Sequence, residues 1–416
     1  MRLRAVSDKL IKNNQGNTAS VLVRIVGYCL KERKNNMGSL KNLDRLLEDV
    51  LKLGPGGAGL RVYQGEELRY EKWVGYANEE KKIPFTAKTI CQLASMTKPI
   101  ASAACLQLLE KGLYLLTDPV EDYIPEFRDH KIYSYSPRGD LSVVPAKKTV
   151  TVGHLFDMTS GITVDWGWPN PNSQELAKRM EECKKEGKYN LREFAKAAGQ
   201  VPGAFEAGEH YYYGQSLDVA AALLEIMTGK TFGDYLKENI FDPLGMADTF
   251  FRVPAEKKER ISVMYQLTPE GRKQGDFPPL FYSPTFESAC GGLFGTMEDY
   301  SRFALAMTLG EYKGVRLLSD STIRLMAMNR LGDQAIKDFE NPYLSGYGYG
   351  LAVRTRMHPE AGSNSSIGEF GWTGGWGSWV LMDPVKKITI VYAHQCVPNK
   401  EEYIHPRIRN IVYGAL

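Results

Sequence analysis

The chain has 416 residues, of which 43% are hydrophobic and 24% charged, and its formal net charge is +3. Such a composition is typical of a globular protein with one large or two interlocked domains. So small a net charge, with no run of Lys and Arg interleaved with aromatic residues, argues against nucleic acid as a partner.

Cysteine and histidine are too scattered along the chain to suggest a metal site. The six cysteines include no Cys-x-x-Cys pair, and the six histidines form no His-Glu-x-x-His motif. We therefore expect reduced cysteines, no metal and no cofactor.

The first 36 residues differ from the rest. Their apolar stretch, Ala19 to Leu30, is interrupted by Arg24, is too short to cross a bilayer and has no small-residue cleavage site behind it. We interpret residues 1–36 as an appendage that is neither a signal peptide nor an anchor, and we expect a cytoplasmic protein without membrane contact.

The compact part is predicted to begin with an amphipathic helix from Leu40 to Leu51. Two strands rich in β-forming residues follow, from Gly57 to Glu66 and from Leu68 to Ala77. A buried helix then begins at Ser95, with Pro in its first turn and Gly112 as its C-cap.

The start of this helix, Ser95-Met96-Thr97-Lys98, carries the strongest chemical signal. A lysine three residues after a serine lies on the same helix face, where it can act as the base that a serine nucleophile needs. Burial and the positive helix N-terminus both lower the pKa of an ammonium, so we expect Lys98 to be neutral enough to accept a proton. The alternative is that Ser95 only caps the helix and Lys98 is solvated.

Between residues 95 and 280 the long periodic segments are helical, and strand patterns return near the C-terminus before a closing helix from Glu401 to Tyr413. This order predicts an α+β fold, an antiparallel sheet flanked by helices with an inserted, mostly helical domain. The expected division is an appendage (1–36), a sheet domain (37–94 and 281–416) and a helical insertion domain (95–280), with a catalytic cleft between the last two.

Several motifs, in order along residues 55 to 395, resemble those of class C β-lactamases and penicillin-binding proteins, and especially of family VIII carboxylesterases. Besides the Ser-x-x-Lys tetrapeptide, they comprise residues 152–161, 205–218, 242–249, 290–300 and 371–377. Ordered motifs over this length are far harder to obtain by chance than one tetrapeptide. The resemblance implies the β-lactamase/transpeptidase-like fold and a serine hydrolase.

The resemblance also implies roles for individual residues. Ser95 would be the acylated nucleophile, Lys98 would receive or share its proton, and Tyr213 would pass a proton to the leaving alkoxide as one unit with Lys98. Tyr211 and Tyr212 compete with Tyr213 for this role, and all three rings could instead be packing.

The family's Lys-Thr-Gly strand becomes Trp372-Thr373-Gly374 here, as in esterases of this group. The main-chain N–H groups of Gly375 and Ser95 would form the oxyanion hole. An indole in place of lysine removes the charge that pairs with a β-lactam or peptide carboxylate, which favours neutral esters as substrates.

Further substrate contacts are predicted with less support from the pattern. Gln215 stands where the lactamase pattern has Asn, so its amide could donate to the acyl carbonyl or hold Lys98, or could simply be exposed. Four aromatic residues fall where related hydrolases shape the acyl and alcohol sites, although aromatic residues are more often core: Trp166, Trp168, Tyr282 and Phe286.

The sequence therefore predicts a cofactor-independent serine hydrolase that cleaves small-molecule carboxylic esters through an acyl-enzyme. A β-lactamase or D-amino-acid peptidase, an acyltransferase on the same site, and a non-catalytic scaffold are the alternatives. Neither the oligomeric state nor the natural acyl and alcohol groups follow from the sequence.

Overall fold

The computed structural model describes residues 39–165, 167, 169–275, 285–359 and 362–416. Its strands are, in chain order, β1 (Gly57–Gln64), β2 (Glu67–Asn78), β3 (Ile83–Pro84), β4 (Cys91–Gln92), β5 (Lys131–Tyr135), β6 (Leu141–Pro145), β7 (Thr249–Phe250), β8 (Met264–Thr268), β9 (Gly271–Gly275), β10 (Phe294–Gly295), β11 (Tyr347–Tyr349), β12 (Arg354–Arg356), β13 (Phe370–Thr373), β14 (Trp379–Asp383), β15 (Ile388–His394) and β16 (Cys396–Val397).

The α-helices are α1 (Asn42–Lys52), α2 (Thr97–Glu110), α3 (Val152–Phe156), α4 (Pro171–Lys185), α5 (Leu191–Gln200), α6 (Ser216–Thr228), α7 (Phe232–Leu236), α8 (Asp242–Leu244), α9 (Met297–Leu309), α10 (Asp320–Met326), α11 (Asp333–Phe339) and α12 (Glu401–Ala415). Short 3-10 helices span Ala94–Met96, Val120–Asp122, Pro125–Phe127, Ala255–Arg260 and Pro342–Leu344, and a π-helical turn spans Lys237–Phe241.

The largest sheet joins strands from both ends of the described chain. Its order is β11-β12-β13-β14-β15-β1-β2-β3, and its pairings are antiparallel. The first and last long strands meet in its middle, where Leu60 lies opposite Tyr392. Residues far apart in sequence are thereby brought to one sheet.

Side chains alternate between the two faces of this sheet, as the period of a β-strand requires. Along β14, Trp379 and Leu381 face α1 and α12, while Val380 and Met382 face the other helices. The terminal helices therefore cover one face, and the face toward α2, α6 and α9 belongs to the larger core.

The structure confirms the expected α+β architecture, including the first strand pair, the helix after Ser95 and the closing helix. It adds two hairpins, β5–β6 and β8–β9, in the stretch expected to be helical. Most of their residues are not fully buried, so the apolar alternation that marks a half-buried strand is weak there. The division into a sheet domain and an insertion domain stays a prediction.

None of the described helices is long and apolar enough to cross a membrane. Across the same described ranges, no three His, Cys, Asp or Glu side chains come together in a way that could hold a metal ion.

Candidate active site

Ser95 lies in the 3-10 turn Ala94–Met96, immediately before α2. Ala94 has φ of 47°, in the left-handed region that residues with a side chain seldom adopt. The Tyr300 hydroxyl donates to the Met96 carbonyl at 2.8 Å, and the Leu293 N–H donates to Thr97 Oγ1 at 3.1 Å. Hydrogen bonds from Tyr300 and Leu293, which lie far away in sequence, therefore hold the turn that carries Ser95.

Lys98 is buried one helical turn after Ser95, with 1% of its surface exposed. Its Nζ donates to Ser95 Oγ at 3.3 Å and to the Cys290 carbonyl at 2.7 Å. It also hydrogen-bonds the Tyr213 side chain. An ammonium has three donors and no acceptor, so three acceptors around one nitrogen match the charged form.

The pKa of Lys98 corrects the expectation of a neutral amine. Burial alone lowers it, but the electrostatic effects of Tyr213, Cys290 and Asp218 and the hydrogen bond that Lys98 donates to Tyr213 outweigh burial, so that the pKa lies above its usual value. The expectation failed because it counted burial and the helix N-terminus but not the acceptors that the fold brings to the same nitrogen. Lys98 thus supplies a positive charge beside Ser95.

Tyr213 packs against the Lys98 ammonium. Its ring centroid is 4.5 Å from Lys98 Nζ, and its phenolic oxygen accepts a hydrogen bond from Trp372 Nε1 at 2.9 Å. Two N–H donors therefore converge on this oxygen, which reduces the cost of negative charge there.

The two neighbouring tyrosines point elsewhere. Tyr211 packs edge-on against Phe339 and Tyr349, with centroids 5.2 Å away in both cases. The Tyr212 hydroxyl donates to the Val164 carbonyl at 3.0 Å. Of the three candidates, only Tyr213 is placed against Lys98.

Trp372, Thr373, Gly374 and Gly375 run along the sheet edge beside Ser95. A Cβ on Gly374 would collide with the Leu93 carbonyl oxygen and with Ser378 Oγ, so glycine allows β13 to approach the segment that carries the nucleophile. The N–H of Gly375 donates to no described residue. Gly375 and Ser95 line the same cavity, as an oxyanion hole requires.

This cavity has a volume of about 280 Å³. The described residues that line it are Ser95, Tyr213, Tyr343, Leu344, Arg354, Trp372, Thr373, Gly375, Asn399 and Glu401.

A buried carboxylate, Asp218, lies behind Lys98. It accepts hydrogen bonds from the Cys290 N–H at 3.0 Å, from Ser288 Oγ at 3.0 Å and from Gln215 Nε2 at 3.2 Å. Burial raises the pKa of Asp218 to about 6, against the opposing effects of the Cys290 N–H and Lys98. Asp218 thereby positions the Cys290 segment, whose carbonyl holds Lys98.

Gln215 is hydrogen-bonded to the buried Asp218. Its amide donates to Asp218, and among the described residues it lines a separate cavity of about 330 Å³ near Thr163 and Tyr189. The described hydrogen bond of its amide is to Asp218 and not to Lys98, and contact with the acyl carbonyl stays a prediction.

The predicted aromatic contacts divide into two groups. Phe286 is 3% exposed and packs between Tyr189 at 4.8 Å and Phe194 at 5.9 Å, so it is a core residue and not part of the active-site cavity. The other three, Trp166, Trp168 and Tyr282, lie outside the described residues.

Several site residues were missed at the sequence level. Asp218 had a usable signal, since it is the acid in the first turn of α6, among buried and mostly apolar residues. Arg354, Tyr343, Asn399 and Glu401 had none, because they reach the cavity from separate loops and strands through tertiary packing.

Comparison with known proteins identifies the family of this chain. The model of the beta-lactamase family matches residues 43–413. The chain belongs to the beta-lactamase family. This confirms the resemblance inferred from the motifs and places the chain among beta-lactamase-fold serine hydrolases and acyltransferases.

Members similar to this chain include enzymes named for ester cleavage and for acyl transfer. Esterase EstB of Burkholderia gladioli is 28% identical over 345 residues, which cover 78% of this chain and 82% of EstB. Acyltransferase calJ of Penicillium decumbens is 31% identical over 242 residues, which cover 57% of this chain and 56% of calJ.

A solved structure shares the fold. EstCE1, described as a hydrolase with promiscuous acyltransferase activity, superposes with a TM-score of 0.74 at 20% identity, over 90% of this chain and 98% of EstCE1.

Proposed function

We propose that this protein is a carboxylesterase that works through an acyl-enzyme on Ser95. The observation that carries the proposal is the buried cluster in which Lys98 Nζ lies 3.3 Å from Ser95 Oγ while Tyr213 and Trp372 are hydrogen-bonded to each other. Sequence similarity to an esterase over most of both chains supports it.

The proposed reaction begins with attack of Ser95 Oγ on the ester carbonyl carbon. Tyr213 enters the proposed reaction as a phenolate, whose charge is offset by Lys98 and the Trp372 N–H, and its oxygen takes the serine proton. The backbone N–H groups of Ser95 and Gly375 hold the oxyanion. Tyr213 then returns the proton to the departing alkoxide as the C–O bond breaks.

The second half repeats these steps with water. Water gives a proton to Tyr213 and attacks the acyl carbon, and the Ser95–acyl bond breaks as Ser95 Oγ regains the proton. The Tyr213 oxygen carries the proton in both halves of the reaction. Lys98 stays charged throughout and stabilises the negative charge on that oxygen.

The experiment is acyl-enzyme trapping with p-nitrophenyl butyrate and a fluorophosphonate probe, followed by mass mapping. We expect both labels on Ser95, and loss of label and turnover in Ser95→Ala. Ser102→Ala is the matched control, since Ser102 lies on the same helix and its hydroxyl only donates to the Leu351 carbonyl. A Ser95→Ala variant that folds and retains turnover would refute the proposal.

Acyl transfer is the second candidate, favoured by the similarity to calJ. Both reactions share the acyl-enzyme and differ only in the acceptor. Adding a small alcohol during ester turnover separates them: rising yield of the new ester at constant release of p-nitrophenol indicates transfer. Turnover of nitrocefin would instead indicate a β-lactamase.

A further inference from the structure

Glu401 is a partly buried carboxylate in the wall of the active-site cavity. It is the first residue of α12, where the positive end of the helix dipole stabilises a negative charge. The side chains described as bonded to it are neutral: the Tyr343 hydroxyl donates to Oε1, Thr373 Oγ1 donates to Oε2 at 2.5 Å, and Asn399 Nδ2 lies 3.5 Å from Oε2. The cavity that holds Ser95 therefore has an anion in its wall whose bonded neighbours are uncharged.

The bond from Thr373 matters because this residue follows Trp372 on β13, at the sheet edge beside the nucleophile. A hydroxyl has one proton to donate. The acceptors described for Thr373 Oγ1 are Glu401 Oε2 at 2.5 Å and the Ser378 carbonyl at 3.2 Å, so the proton is used within the protein. Trp372 Nε1 likewise donates to the Tyr213 oxygen. Neither side-chain donor of this strand is left for an anionic group on a substrate.

Arg354, a cation that also borders the cavity, does not cancel the charge of Glu401. Its side chain is 1% exposed and packs near the rings of Tyr347 and Trp379, and Trp379 lies on the sheet face covered by α1 and α12. Burial raises the pKa of the Tyr343 hydroxyl, the charge of Glu401 raises it further, and Arg354 opposes them with a smaller effect. At this hydroxyl, which lines the cavity, the negative charge therefore dominates.

The aromatic part of the lining also suits a cation better than an anion. Tyr343 and Trp372 border the cavity together with Glu401. An ammonium group is attracted both to a carboxylate and to the negative face of an aromatic ring. An anion in the same place is repelled by both. Charge therefore distinguishes substrates that have the same shape.

We propose that Glu401 selects substrates by charge, so that esters bearing an ammonium group are preferred to neutral esters of the same shape, and these to esters bearing an anionic group. The proposal rests on the proposed esterase function and adds a substrate class to it. The sequence-based expectation of neutral esters considered only the lysine that is replaced by Trp372, whereas Glu401 adds a charge of opposite sign to the same cavity. Glu401 is a specificity-determining residue and takes no part in the transfer of the proton.

The first test compares three esters that differ in charge but little in shape. On the acyl side they are the p-nitrophenyl esters of 4-(trimethylammonio)butanoate, 5,5-dimethylhexanoate and 4-sulfobutanoate. On the alcohol side they are the acetates of choline, 3,3-dimethylbutanol and isethionate. In one series, wild type should favour the cationic over the neutral ester by about tenfold in kcat/KM and disfavour the anionic ester by about tenfold. The responding series shows which side of the ester faces Glu401.

Glu401→Gln keeps the length of the side chain and removes its charge. The ratio of kcat/KM for the cationic ester to that for the anionic ester should fall by about tenfold or more, whereas a purely structural loss lowers all three esters equally. Glu402→Gln is the matched control, because it removes the same charge from the next residue of α12, which is exposed and is not among the residues described as lining the cavity. An unchanged ratio in Glu401→Gln, or no charge preference of wild type in either series, would overturn the proposal.

The second test does not depend on catalysis. Ethyl 4-(trimethylammonio)butanoate and O-acetylcholine are titrated calorimetrically into Ser95→Ala and into Ser95→Ala/Glu401→Gln, with 3,3-dimethylbutyl acetate as the uncharged control. At least one cationic ester should bind the first variant about tenfold more tightly than the second, and the uncharged ester should bind both equally. If a cationic ester binds in this way but wild type cleaves no ester, the esterase proposal fails and the charge-selecting site stands; if neither cationic ester distinguishes the two variants, charge selection by Glu401 fails.

Discussion

Two buried cations, Lys98 and Arg354, are held in different ways. Around Lys98, the ammonium, the phenol and the buried carboxylate are joined in one hydrogen-bonded cluster. At Arg354 the guanidinium lies near the rings of Tyr347 and Trp379, and its Nε and Nη2 donate to no described residue. The Lys98 cluster is preorganised for a step common to every substrate, whereas the packing of Arg354 against rings stabilises the fold.

The comparison predicts that damage to the hydrogen-bonded cluster around Lys98 lowers the rate for all esters. Tyr213→Phe removes the proton carrier and should reduce kcat by about 10³-fold for charged and neutral esters alike, measured by steady-state kinetics. Tyr212→Phe is the control, since that hydroxyl bonds the Val164 carbonyl and the Asn170 side chain and not Lys98. A Tyr213→Phe enzyme within tenfold of wild type would show that the phenol does not transfer the proton.

Gly374→Ala tests the approach of the sheet edge to the serine. The added Cβ collides with the Leu93 backbone, so β13 must move away and the Gly375 N–H moves with it. We expect a loss of about 10²-fold in kcat with a smaller change in KM. The control is Gly414→Ala, where a Cβ meets no neighbour; equal losses in the two variants would contradict the reasoning.

Trp372→Phe removes one of the two donors to the Tyr213 oxygen while keeping an aromatic ring. Loss of a hydrogen bond to a charged group corresponds to about tenfold in kcat. Trp73→Phe, on β2, controls for loss of an indole. An unchanged kcat would mean that this N–H does not assist the phenolic oxygen.

Asp218→Asn should change how kcat/KM depends on pH more than it changes the maximum value of kcat/KM. The pKa of Asp218 is about 6, so the carboxylate is ionised above pH 6 and becomes neutral as the pH falls through 6. Protonation removes the charge behind Lys98, so wild-type kcat/KM should decline below pH 6. In Asp218→Asn that decline should disappear, and activity at pH 8 should fall only a few-fold.

Asp299→Asn serves as the control for this pH profile, because Asp299 is also buried with a raised pKa but is bonded to the Asp248 N–H. If kcat/KM of Asp218→Asn still declined below pH 6 as in wild type, a group other than Asp218 would cause the decline.

The sequence by itself determined the fold class, the family and the identity of the Ser95–Lys98 pair. Helical periodicity places two residues three apart on one face, and strand alternation marks which segments enter the sheet, so these features depend on local spacing. The motif also favoured Tyr213 as the proton-transfer residue, although the sequence did not exclude Tyr211 or Tyr212.

Only the tertiary structure decided the charge state of Lys98 and which residues line the cavity beside Ser95. A pKa depends on every charge and acceptor around a group, and the Cys290 carbonyl, Tyr213 and Asp218 reach Lys98 from other parts of the chain. Arg354 and Glu401 likewise meet only because strands and helices far apart in sequence border one cavity. Spacing along the chain does not show which distant residues come together. That depends on how the strands pair in the sheet and how the helices pack on it.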